Sequence, residues 1–561
     1  MDTKYGREDI VTDVLIIGGG VAGLTAAISI KERAPDADVL IVEKQFSGYS
    51  GKANKGGGVL QYFDLSKIDP MQFVEFHASK VGCYLGDQEL MAKYVSMNNQ
   101  MFDKIVEWGG KLPKKDDGTW NVMPTGPMTA MIRVELDITL NFRRTAEKLG
   151  VKFIDKTAVS DIMTSGGKVS GATGFSILDG KFYTFAAKTV VLASGSQNYR
   201  IGSMWSSGRG DGIIAAFRAG AQLRNAEFGN FAQLVKVNSH SEVVFGENFM
   251  YNDKGEHVTK NFTAERESDI SSTAIREWYL QMQAGSPIHL EYPQMPGGGV
   301  AESAPPMSAD KPYGAEFTRL THERPAAVDK DLEVCPMFIG EQSPVKVGHD
   351  MQTTIPGLFA IGDVSYCGSA APGAVPAPPG RNRGSGILNA VFAGIQCAEN
   401  AAALGSVSNA PQLDPAQVQA SIERVYAPLE RNDGVSAKDV IREVQKAVGP
   451  MENSVYMSGE RIAKALEQVE KALGMVKDLK AVDFHDLISC HEAEAIAICA
   501  ELLFRAAEMR KESRGWFLRE DYPDMDNKNW LKWINIKQYN GETVFETENI
   551  PYEKWPVKPP M

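Results

Sequence analysis

Cysteine is scarce in this chain, long apolar runs are missing, and positive charge is in deficit. Each shortage excludes something. The six cysteines, Cys83, Cys335, Cys367, Cys397, Cys490 and Cys499, stand far apart, with no Cys-x-x-Cys pair. That spacing suits neither a disulfide framework nor the usual iron–sulfur or zinc sites, and predicts free thiols in a reducing cytoplasm. Nor do His, Asp and Glu cluster at metal-ligand spacing, so no metal site is expected. No stretch approaches the ~18 apolar residues of a membrane helix. The opening MDTKYGREDIVTD is polar and lacks the apolar segment of a secretory signal. The expectation is a cytoplasmic protein with no direct membrane insertion. A net charge of −12 argues against nucleic acid as a partner, though a local basic pocket for a small anion is compatible with it. At 561 residues the chain exceeds a single core, so two or three domains are expected. It has no internal repeat.

Glycine, by contrast, is placed with purpose. Residues 14–23 read VLIIGGGVAG. Val14 to Ile17 form a short, wholly apolar run, as in a parallel strand buried on both faces. Gly18, Gly20 and Gly23 then fit G-x-G-x-x-G, an alanine-rich helix follows, and a second apolar run, Val39 to Val42, ends in Glu43 and Lys44. Strand, glycine turn, helix, strand and acid together make a dinucleotide-binding unit. The glycines allow close backbone approach to a pyrophosphate, the helix N-terminus faces it, and Glu43 can take the ribose hydroxyls.

Three later stretches choose among dinucleotides. Residues 189–196 read TVVLASGS, 207–221 read SGRGDGIIAAFRAGA, and 356–364 read PGLFAIGDV. Near the end, residues 508–523 read EMRKESRGWFLREDYP, with Phe517 where a histidine would be usual. This set resembles the fumarate reductase and succinate dehydrogenase flavoprotein superfamily, through several separate motifs along most of the chain. The resemblance implies FAD. It places Ala193, Ser194 and Gly195 at a strand end beside the cofactor, Asp211 at a cofactor turn, and Asp363 on the ribityl chain.

The implied architecture is α/β. A discontinuous Rossmann-like FAD-binding domain (residues 1–225 and 340–405) carries an inserted α+β capping domain (226–339). A C-terminal helical domain (406–515) follows, with apolar residues at three-and-four spacing and Asp414-Pro415 as an N-cap and first-turn pair. A tail (516–561) rich in Trp and Tyr is left to pack on its own subunit or on a partner.

Residues 50–58 read SGKANKGGG. In membrane-linked fumarate reductases a histidine of this segment carries the flavin covalently, and a gapless match puts Gly51 there. Glycine cannot form that bond, so FAD should be non-covalent. Ser50, Lys52, Asn54 and Lys55 are candidates for polar contacts around the ring. The glycines, Gly57 and Gly58 among them, are expected to pack closely on it. A lysine beside the ring would favour the anionic reduced flavin. Residues 378–388, PPGRNRGSGIL, supply Arg381 and Arg383, either of which matches the family's substrate-clamping arginine. Ser385, Gly386, Ile387 and Leu388 then open a helix whose N-terminus points at the flavin carbonyl.

The substrate side departs from fumarate reductase. Ser268 stands at the proton-donor arginine position, with Arg266 the nearest arginine. Asn230 to Gln233 replace a histidine-bearing segment. These departures suit the adenylylsulfate reductase flavoprotein branch, which pairs with a ferredoxin-like subunit. The expected function is therefore exchange of a hydride or two electrons at flavin N5 with a small anionic substrate. Arg381, Arg383 and Arg266 serve that substrate, and a separate iron–sulfur subunit carries the electrons. Assembly into an oligomer is compatible with this. Two alternatives stand beside it: an electron-relay subunit of a larger redox complex, and a fumarate- or enoate-type reductase. Trp205 lies close to a cofactor turn, and the histidines carry no catalytic signal.

Overall fold

A computed structural model describes residues 4–54, 58–124, 128–201, 208–230, 232–237, 250–258, 270–291, 332–366, 385–405, 411–515 and 517–561. The expected unit is built as read: β1 (Arg7–Ile17), α1 (Val21–Arg33) and β2 (Val39–Val42) follow in order. Val14, Leu15 and Ile16 at the end of β1 are fully buried, with α1 packed against the strand.

Parallel pairing joins β2 to the strand Lys152–Ile154, and joins β1 to both β2 and the strand Phe182–Leu192. The last of these splits its partners. Its first half pairs antiparallel with Lys168–Ser176, while its end pairs parallel with Leu358–Ala360. Gly18, Glu43, Ala193 and Ile361 thus leave parallel strands on one edge of the sheet, the edge where open α/β sheets bind ligands. The helix Ser385–Gly405 lies against α1 so closely that a Cβ on Gly394 would sit 2.6 Å from the Thr25 methyl. It is the one described helix long and apolar enough to cross a membrane, but 72% of that window is buried in the fold.

The inserted region carries its own antiparallel sheet, in the order Ala232–Lys236, Leu332–Phe338, Ile288–Leu290 and Met250–Asn252, with the helix Ile270–Gln283 against it. The C-terminal region is helical over Pro415–Glu430, Ala437–Val448, Gly459–Val476 and Phe484–Met509. Asp414 accepts from the Ala416 amide and Pro415 takes the first turn, as its sequence predicted.

The tail packs on its own chain. Its hairpin, Lys532–Tyr539 and Glu542–Asn549, extends a sheet whose other strands are Leu223–Arg224, Val345–Lys346 and Ser365–Tyr366. Trp533 Nε1 donates to the Leu85 carbonyl at 2.9 Å, and the Arg224 guanidinium lies 4.0 Å from the Trp533 ring centroid. The Arg-x-Glu-x-Arg stretch that begins at Arg510 is a buried ion-pair row. Arg510 bonds Glu227 and Glu512 at 2.8 Å each, and Arg514 bonds Glu512 at 2.7 Å. Phe517 is fully buried and packs 5.6 Å, ring to ring, from Phe228.

Candidate functional site

The glycine turn lies at the sheet edge, and its three glycines answer to different neighbours. A Cβ on Gly18, which has φ +111°, would sit 2.4 Å from the Ala193 carbonyl oxygen, so the two strand ends can close only on glycine. A Cβ on Gly23 would sit 2.0 Å from the Gly18 oxygen, which fixes α1 onto the turn. At Gly20 a Cβ would meet nothing within 4 Å. Gly20 is also the N-cap of α1, with no side chain capping the helix. Open space in front of uncapped amides is what a pyrophosphate needs.

Glu43 closes the turn, accepting from the Gly19 and Gln45 amides at 2.7 Å each. Lys44 Nζ points the other way, to Asp211 Oδ2 at 3.0 Å and Glu492 Oε1 at 2.8 Å, and Arg209 reaches the second Glu492 oxygen at 3.2 Å. Burial alone would push the Lys44 ammonium down, but the two carboxylates hold it above the ordinary lysine range. Two expected cofactor residues, Lys44 and Asp211, are thereby joined, and Glu492 of the helical domain joins them.

A second buried cluster surrounds Lys52. Its ammonium bonds Ser196 Oγ at 2.8 Å, pairs directly with Glu341, and lies 3.5 Å from Asp363 Oδ2. Here too burial opposes the charge, yet Glu341 and Asp363 raise the lysine above its usual value. Lys52 therefore ties the 45–54 loop to Asp363 and to the chain returning from the capping sheet. Gly51, with φ +88°, carries no side chain, and a Cβ there would lie 3.9 Å from Gly20 Cα. Ser50 Oγ donates to the Phe46 carbonyl at 3.0 Å, and Asn54 Nδ2 to the Tyr49 carbonyl at 2.6 Å, so both shape the loop. Gly58 is glycine for a local reason as well: a Cβ would press on the Val134 oxygen at 3.1 Å.

Asp363 follows Gly362, where a Cβ would lie 2.8 Å from the Ala22 side chain and 3.9 Å from that of Ala390. That position brings α1 and the helix beginning Ser385-Gly386-Ile387-Leu388 to the same strand end. Ser385 and Leu388 are fully buried. Gly195 has φ +77° with open space around it. The expected residues Lys55, Gly57, Trp205, Arg266, Ser268, Arg381 and Arg383 lie outside the described residues.

Sequence reasoning missed Glu341, Ser196, Glu492 and Arg209. Ser196 and Arg209 lie within the two cofactor stretches 189–196 and 207–221, beside the residues singled out there, whereas Glu341 and Glu492 come from stretches with no such pattern.

These residues fit FAD. The open turn leaves space and free amides of the kind a pyrophosphate needs, and the Glu43 carboxylate lies beside it. The buried Ser194 Oγ and Asn54 Oδ1 have no hydrogen-bond partner among the described residues, so polar groups remain for a ligand.

Known proteins agree. The family model described as FAD binding domain matches residues 13–274, and that described as Fumarate reductase flavoprotein C-term matches 444–560. The chain is 24% identical to a fumarate reductase (CoM/CoB) subunit from Methanothermobacter marburgensis, over 91% of this chain and 94% of that one. It is 26% identical to the 8-methylmenaquinol:fumarate reductase flavoprotein subunit of Wolinella succinogenes, over 93% and 87%. Among solved structures, an E. coli quinol fumarate reductase chain superposes with a TM-score of 0.83 at 20% identity, covering 98% of each chain. The adenylylsulfate reductase of Archaeoglobus fulgidus superposes at 0.73 and 20% identity, covering 97% and 96%. A cradle built for FAD, two matching family models and relatives aligned along nearly the whole chain lead to one conclusion: the chain belongs to the flavoprotein superfamily of the fumarate reductases and succinate dehydrogenases, and is an FAD-dependent oxidoreductase.

Proposed function

We propose that this flavoprotein exchanges two electrons with a small anionic substrate and passes them to or from a separate iron–sulfur carrier subunit. One observation carries the reading. A complete cofactor cradle lies in a chain with a single dinucleotide fingerprint and no paired cysteines, so electrons reaching the cofactor must leave to another molecule. FAD, when bound, supplies hydride or electron-pair chemistry at N5.

The protein's own residues do the rest. The α1 N-terminus and Glu43 hold the dinucleotide, while Gly51 leaves it without a covalent tether. Lys52, fixed by Glu341 and Asp363, keeps a cation in the cleft. Arg381 and Arg383 are the proposed carboxylate or oxyanion clamp, with Arg266 near the proton-donor position. The capping domain is proposed to exclude water from the bound substrate. The work is proposed to take place in the cytoplasm. The altered positions around Ser268 point away from fumarate itself and toward sulfur oxyanions or related anions, as in the adenylylsulfate reductase branch.

The test is an anaerobic screen. The reduced holoprotein is mixed with sulfite-type anions, enoates and keto acids, and flavin reoxidation is followed by absorbance. One class should reoxidise it, and Arg381→Gln or Arg383→Gln should cost on the order of 100-fold in kcat/KM without releasing FAD. Reoxidation by none of them, in a chain that binds FAD, would favour an electron-relay subunit instead.

A further inference from the structure

The loop that follows β2 is held unequally along its length. Its first half is fixed from several sides. Asp155 accepts from the Ser47 amide at 2.8 Å and from Ser47 Oγ at 2.7 Å, and Arg143 donates to the Ser47 carbonyl at 2.8 Å. Thr139 Oγ1 donates to the Gly48 carbonyl at 2.7 Å, and the Gly48 amide donates to the Gly19 carbonyl at 2.9 Å. Beyond Gly48, which has φ +84°, this network stops. The Ser50 and Asn54 side chains bond inside the loop, to the Phe46 and Tyr49 carbonyls, and the Tyr49 side chain is exposed. Among the described residues, every hydrogen bond and ion pair from residues 49–54 to the chain beyond the loop is made by the Lys52 ammonium.

That one ammonium joins the loop to three other segments, two of which border the N-terminus of α1. Ser196, bonded at 2.8 Å, comes just after Ala193, whose carbonyl faces Gly18. Asp363, 3.5 Å away, comes just after Gly362, which is packed on Ala22 in the first turn of α1. Glu341, which pairs directly with Lys52, lies on the chain returning from the capping sheet. The loop itself meets the same helix end, since a Cβ on Gly51 would lie 3.9 Å from Gly20 Cα. The Lys52 and Glu341 side chains are only 11% and 2% exposed, so water does not compete for the pair. Separating a buried pair leaves both charges uncompensated, which makes lifting this loop expensive.

We propose that Lys52, paired with Glu341 and Asp363, is a latch that holds residues 49–54 shut against the cofactor cleft and sets how slowly FAD leaves. The inference rests on the FAD assignment above. Gly51 offers the flavin no covalent bond, so retention falls to its neighbour in sequence. The loop opens only when Lys52 parts from its carboxylates, and FAD is released only when the loop opens. Lys52 is thus a positioning residue, acting through the loop it fastens. A lysine that instead bound FAD directly would be released toward FAD when Glu341 lost its charge, and departure of FAD would then slow. The two roles predict opposite effects of one substitution.

The test is an exchange experiment on the full-length holoprotein, loaded with radiolabelled FAD and chased with excess unlabelled FAD. Lys52→Met and Glu341→Gln should each speed loss of the label on the order of 100-fold. The double variant should lose it no faster than the faster single one, because both substitutions undo the same contact. Amide hydrogen exchange across residues 49–54 should quicken in the same variants. A merely structural role would lower Tm and leave release within about threefold of wild type, which would overturn the proposal. Slower or unchanged release from Glu341→Gln, or additive effects in the double variant, would overturn it as well. Should Glu341→Gln not fold, Glu341→Asp must still speed release by about tenfold, and an unchanged rate would count equally against the latch. A chain that takes up no FAD fails the cofactor assignment; one that binds FAD and releases it at the wild-type rate from every variant fails this proposal alone.

Discussion

Gly20 and Gly23 stand three residues apart in the same turn and should fail in opposite ways. A side chain at Gly20 would enter open space, whereas one at Gly23 would strike the Gly18 oxygen. Gly20→Val should therefore fold with a near wild-type Tm and bind FAD on the order of 100-fold more weakly, because it fills the pyrophosphate space. Gly23→Ala should lose about 3 kcal/mol of stability through displaced backbone. Thermal melts and FAD fluorescence titrations of the two variants separate these outcomes. Asp161 provides a residue-level test of electrostatics. Burial favours its neutral form, but Arg424 and Arg218, bonded at 2.7 and 2.9 Å, hold its carboxyl down at about 2. Because the folded value lies below the unfolded one, the stabilisation is present above about pH 4 and is lost as pH falls toward 2. Asp161→Asn should cost about 2 kcal/mol at pH 7, and its deficit should shrink over that window in denaturant titrations repeated at several pH values.

Among elements, the helix Phe484–Met509 has the widest reach, since Glu492 near its start receives both Lys44 and Arg209. Glu492→Ala would remove the carboxylate that pairs with both Lys44 and Arg209. It should cost about 3 kcal/mol and weaken FAD binding at the same time, measured by melts with and without added FAD. The hairpin of the tail offers a separate test. Trp533→Ala should remove about 3 kcal/mol by emptying the space beneath Arg224 and Leu85 without touching cofactor affinity. What could be read from sequence divides along the same lines. The β1–α1–β2 unit and the capped helix after Asp414 were legible because their determinants are neighbours in the chain. Lys52 and Glu341 are 289 residues apart, and Lys44 and Glu492 are 448 apart, so no local pattern announces either pair. The antiparallel strand Lys168–Ser176 gave no alternation to read, since small residues let it be buried along nearly its whole length. The aromatic tail declared that it packs on something, but only the fold shows on what.

Across the whole molecule, the parallel-sheet domain is interrupted by the capping sheet and braced by the C-terminal region. The brace is the Lys44–Glu492 contact on one side and the buried Arg510 row on the other. Both bring the C-terminal region onto segments that also form the cofactor cleft, so the helical region and the tail belong to the site's construction. This assembly should hold FAD without a covalent bond, because Gly51 offers no atom to attach it. The most direct measurement is the absorbance spectrum of the purified chain, loaded with FAD, before and after acid precipitation. The native protein should show a flavin spectrum, and yellow FAD should be released in full to the supernatant. Colour retained in the pellet would contradict the role given to Gly51, and a chain that stays colourless with FAD present would contradict the cofactor assignment itself.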